Sequence, residues 1–63
     1  MTYQDGVIAA QEEIKDFGVD FELIDAFNEQ PNFFLKVTEG TIMGAYPEFT
    51  KGYMATMTEA LEK

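Results

Sequence analysis

The chain has 63 residues, a formal net charge of −8, and no cysteine, histidine or tryptophan. A chain this short forms at most one domain, and it cannot be stapled by a disulfide or by a zinc site built on cysteine or histidine. Serine and arginine are absent too, so no Ser-His or Cys-His nucleophile and no imidazole base can be assembled. Apolar residues are 46% of the sequence and aromatics 14%, too many for a disordered acidic tail, and a folded domain over residues 1–63 is expected.

Charge is unevenly spread. Residues 1–30 carry eight carboxylates against Lys15 alone, a balance of −7, whereas residues 31–63 carry four against three lysines, a balance of −1. The first half therefore repels phosphate backbones and anionic membranes and attracts basic surfaces, including those with which proteins hold nucleic acid. No apolar run approaches the length of a membrane span and the start does not resemble a signal peptide, so a cytoplasmic setting is expected.

In chain order, Thr2 and Asp5 have the spacing of a capping box, and Val7, Ala10, Ile14 and Phe17 then fall on one face of a first helix. Gly18 ends it. Glu12, Glu13 and Asp16 lie off that stripe, giving the helix an acidic outer side. Residues 19–27 admit two readings. Phe21, Leu23 and Phe27 fit a strand interrupted by Asp25, while Leu23, Ile24 and Phe27 fit a helix capped by Asp20. The strand is preferred, because Asn28-Glu29-Gln30-Pro31-Asn32 separates two apolar runs as a hairpin loop would.

Residues 32–46 read as a β-hairpin. Phe33, Leu35 and Val37 alternate with Phe34, Lys36 and Thr38, and Thr-Glu-Gly supplies a turn before Thr41–Tyr46. Gly44 marks a bulge or the close approach of another backbone. Pro47 ends the strand, and Thr50 caps a second amphipathic helix on which Tyr53, Met54, Met57, Ala60 and Leu61 recur at spacings of three and four. Gly52 weakens its first turn by about 1 kcal/mol relative to alanine. The resulting fold class is α+β, a three-stranded antiparallel sheet with both helices on one face (α-β-β-β-α), with an all-α bundle as the alternative.

That order resembles the double-stranded RNA-binding domain over nearly the whole chain, up to the closing Ala60-Leu61. The resemblance is one of pattern. Aligned backwards from Ala60-Leu61, Gly44 meets the first glycine of the family's Gly-x-Gly and Tyr46 stands at the second, and the three RNA-binding lysine positions fall on Phe49, Thr50 and Tyr53. The first helix, which in the family faces a minor groove, carries Glu12, Glu13 and Asp16. The resemblance thus implies the family's fold without its RNA contacts, as in those members that serve as protein-binding modules.

Other chemistry has little to stand on. Asp16, Asp20 and Glu22 lack the glycine-containing loop of a calcium-binding hand, no glycine motif cradles phosphate, and a chain of this size hardly encloses a substrate between two carboxylates. No catalytic residue, metal or cofactor is assigned. Alternation along the hairpin leaves one of Phe33 and Phe34 outside the helix-covered layer, and Phe34 with Lys36 is placed on the open sheet face as an apolar patch. A protein partner with a basic surface, met through Glu12, Glu13, Asp16, Asp20 and Glu22 with Phe34 and Lys36, is therefore expected. The chain would act as a small acidic inhibitor or adaptor, presenting carboxylates where phosphates lie, a character shared with small phage-encoded inhibitors. The alternative is a small structural subunit of a homo-oligomer or larger assembly held by apolar contacts. Direct RNA binding comes third.

Overall fold

The computed structural model describes residues 1–62, and every element in it is a helix: α1 (Tyr3–Phe17), α2 (Phe21–Glu29), α3 (Pro31–Val37), α4 (Ile42–Ala45) and α5 (Pro47–Glu62). There is no strand among the described residues. The α+β expectation and the resemblance to the double-stranded RNA-binding domain are both overturned, and the all-α alternative describes the molecule.

α1 begins as its sequence predicts. The Asp5 N–H donates to the Thr2 hydroxyl oxygen at 3.2 Å, and the Thr2 N–H donates to the Asp5 carboxylate at 2.9 Å, so two donors that the helix leaves orphaned are satisfied. Gly18 closes the helix at φ 87°, its N–H donating to the Ile14 carbonyl at 2.9 Å. This is the one positive-φ residue described, and only glycine adopts that backbone without strain.

α2 takes up the reading set aside for residues 19–27. Asp20 is its N-cap, accepting from the Leu23 N–H at 3.1 Å, and Ile24 is buried with Leu23 and Phe27 half-buried beside it. Proline at position 31 does not sit in a hairpin loop; it is the first residue of α3, where the missing N–H costs nothing and the fixed φ suits a helix. Along α3, Phe34 is buried whereas Phe33 and Val37, one helical turn apart, are exposed. A four-residue repeat, not alternation, governs this run. Phe34 is held by the Phe27 ring, edge-on at 5.5 Å.

The expected hairpin turn instead joins two short helices. The Thr38 carbonyl accepts from the N–H of Thr41 at 2.8 Å and of Gly44 at 3.2 Å, and from the Thr41 hydroxyl at 2.7 Å. Gly44 is a close-approach position: a Cβ on it would overlap the Thr38 carbonyl and the Glu39 backbone.

α5 starts at Pro47 rather than at a Thr50 cap. Thr50 is fully buried in the first turn of α5, and its hydroxyl hydrogen-bonds to the Met43 carbonyl. Helical pairing would give that carbonyl the N–H four residues on, which Pro47 lacks. The threonine hydroxyl substitutes for it and splices α4 to α5.

α5 is the central element. It packs on α1 along its length and also on α2 and α4, while α3 packs on α2 and α4. α1 and α5 run in the same direction: Gly6 lies against Phe49 and Tyr53, and further along both helices Val7, Gln11 and Ile14 border one groove with Thr56, Glu59 and Ala60. The core gathers Ala10, Ile24, Phe34, Phe49, Tyr53, Met54 and Met57, with Phe49 and Tyr53 stacked at 6.1 Å. Full burial of Ile24, Met54 and Met57 contributes about 1.5–3 kcal/mol for each side chain. The methionine pair fills the core.

Candidate functional site

The carboxylates singled out in the sequence lie on α1 and at the start of α2. Glu12, Glu13, Asp16, Asp20 and Glu22 are all exposed, with Lys15 the only cation in the same stretch. Three of them come together. Glu13, Asp20 and Glu22 border an open groove of about 360 Å³ at the corner where α1 turns into α2, together with Phe17, Phe21 and the Gly18-Val19 link. Glu12 and Asp16 stand outside it. Asp20 also has a structural duty, since its carboxylate caps α2.

Phe34 and Lys36 do not join this group. Phe34 is 6% exposed and belongs to the core, because the face of α3 that meets the Phe27 ring carries position 34. The exposed member of the pair is Phe33. Lys36 is exposed in the last turn of α3, where its charge complements the helix dipole. The apolar patch expected on an open sheet face does not exist, since there is no sheet.

Phe17 and Phe21 are the residues that the sequence reading missed. Phe17 was assigned to the buried stripe of α1, yet it is 81% exposed, and Phe21 is 59% exposed. Ala10 is buried and Val7 and Ile14 are half-buried, but the stripe loses its cover at the last residue of the helix. Nothing in the local sequence marks that end, since Phe17 keeps the period of the stripe up to the terminating Gly18.

The corner is held firmly. Gly18 is fixed by its φ and its bond to Ile14, Asp20 by its bond to Leu23, and Val19 packs on the core between them. The field of the acidic face reaches inward: burial raises the Tyr53 phenol above its ordinary value of 10.0, and the charges of Glu13 and Asp20 add to the shift. Among the described residues no group of three or more acidic side chains is placed to hold a metal ion, and no helix is long and apolar enough to cross a membrane. What the arrangement offers chemically is an exposed aromatic pair rimmed by carboxylates.

No protein-family model, no curated protein and no solved structure matches the chain.

Proposed function

We propose that the chain is a non-catalytic protein-binding module, an acidic inhibitor or adaptor that docks by its α1–α2 half on a basic protein surface of the kind that handles nucleic acid. The observation that carries this reading is the continuous exposure of Glu12, Glu13, Asp16, Asp20 and Glu22 on two consecutive helices, with a balance of −7 over residues 1–30. Such a field speeds encounter with cationic surfaces and disfavours anionic ones. The setting we assign is the cytoplasm.

The test is capture of partners from the source lysate by the tagged chain at low and high salt, followed by affinity measurements on the purified partner. Binding is expected to fall steeply with ionic strength and to be lost in Glu12→Lys/Glu13→Lys. Tight binding that ignores salt and charge reversal overturns the reading.

One observation favours a second reading, a subunit of a homo-oligomer. Phe33 and Val37 form an exposed apolar ridge on α3, in the half of the chain that is nearly neutral. An apparent mass that rises with concentration, and is restored to that of a monomer by Phe33→Ser, identifies this case.

A further inference from the structure

The groove at the α1–α2 corner narrows the partner to a recognisable chemistry. Its size is that of a site for one or two side chains rather than for a whole element. Its walls include two aromatic rings that the fold leaves largely in water, with Phe17 the most exposed large apolar side chain described. Its rim carries Glu13, Asp20 and Glu22 and no cation.

These features select an occupant. An apolar side chain is needed to cover the rings, and positive charge must flank it to meet the carboxylates. Nucleic acid and anionic lipid carry the wrong sign. In a symmetric contact a second copy would bring its own acidic corner against this one, opposing like charges. Caps at both helix ends fix the backbone that carries the two rings, so little main-chain ordering is required of this side.

We propose that the corner groove takes one apolar side chain of a cationic amphipathic segment of a partner protein, with lysine or arginine one helical turn to either side of it meeting Glu13 and Glu22. The assignment rests on the docking function proposed above and specifies its contact point. It is separable from that function, because Glu12 and Asp16 carry charge outside the groove.

The experiment titrates the full-length, isotope-labelled chain with two synthetic helical peptides of equal length and charge, observed by amide NMR at low salt. One peptide has leucine ringed by lysines at helical spacing; in the other, glutamine replaces leucine. The expected result is that the leucine peptide binds more tightly and moves the amides of Gly18, Val19 and Phe21. Phe17→Ala/Phe21→Ala should weaken it by roughly tenfold or more, while the glutamine peptide is unaffected by that change. Both rings are exposed, so the variant should remain folded, as circular dichroism will verify; Phe17→Leu/Phe21→Leu, which keeps apolar bulk, should retain most of the affinity.

Equal binding of the two peptides, or indifference to loss of both rings, overturns the groove assignment and leaves the wider docking function standing. Failure of both peptides to bind at low salt overturns both. Corner amides that move on dilution without peptide identify a second copy as the occupant and also overturn the assignment.

Discussion

Gly6 of α1 and Gly52 of α5 occupy reciprocal positions: Gly6 sits on the carbonyl of Phe49, three residues before Gly52, and Gly52 sits on the carbonyl of Tyr3, three residues before Gly6. A Cβ on either would overlap the facing backbone, which has no flexible end to yield. Gly6→Ala and Gly52→Ala should each destabilise the protein by about 1–3 kcal/mol, despite the better helix propensity of alanine. Gly40 is the control, with no atom near a built Cβ and no positive φ. Gly40→Ala should be neutral or stabilising by a few tenths to about 1 kcal/mol. Urea unfolding of the three variants checks the contrast.

Thr50→Val should cost about 1–3 kcal/mol, because it keeps the shape of the buried side chain and leaves the Met43 carbonyl without its donor. Thr50→Ser keeps the hydroxyl and should lose less. A larger loss in Thr50→Ser than in Thr50→Val would show that the methyl group, not the splice across Pro47, matters at this position.

The capping box gives the amino-terminal turn a pH dependence. The Thr2 backbone N–H, with smaller help from the Thr2 hydroxyl and the chain's amino terminus, holds the Asp5 carboxyl below its ordinary value of 3.8. The unfolded chain then binds the proton more readily, so this contribution is present above the ordinary value and is lost as pH falls through the lower native one. Melting temperatures of the parent and of Asp5→Asn should differ at neutral pH and converge on acidification below that window.

Asp20 combines a structural duty with a surface charge, and two substitutions separate them. Asp20→Ala removes the α2 cap and should cost about 1 kcal/mol. Asp20→Asn retains a capping oxygen while removing the charge, so thermal stability should be largely kept while binding to a cationic partner weakens. Loss of stability in both variants would place the charge itself among the determinants of the α2 start.

Tyr53 sets a limit at high pH. Its phenol is raised by burial, with Glu13 and Asp20 adding to the shift, so the native state holds a proton that the unfolded state releases from its ordinary value of 10.0 upward. Stability should fall as pH rises through 10 and continue to fall until the native phenol ionises. In Tyr53→Phe this alkaline loss should be reduced, which thermal melts across that range will show.

Legibility in the sequence followed the locality of the signal. The Thr2/Asp5 box, the Gly18 stop and the Tyr53, Met54 and Met57 part of the last helix's apolar face are written in residues three or four apart, and the structure keeps them, whereas Leu61 of that face is exposed. The middle of the chain was misread because Phe33-Phe34-Leu35-Lys36-Val37 is too short to separate a period of two from one of 3.6. What decides it is tertiary, the contact of Phe34 with Phe27 across the α2–α3 corner. Pro31 carried a helix-start signal as well as a turn signal, and only the first was used by the fold. At the candidate site the exposure of the acids was legible from charge alone. That of Phe17 was not, because a periodic stripe does not record where its cover ends.

The parallel seating of α1 on α5 has a consequence for synthesis. The first helix made has as its main support the last one, and α2, α3 and α4 intervene in the chain without packing substantially on α1. While the polypeptide is being produced, the Gly6–Ala10 face of α1 therefore waits uncovered, and native structure closes late and nearly all at once. Loss of the final turns of α5 would thus reach both ends of the molecule, removing the lining that Thr56, Glu59 and Ala60 share with Val7, Gln11 and Ile14. Ribosome-bound chains halted before α5 should be digested by proteases that spare the released protein.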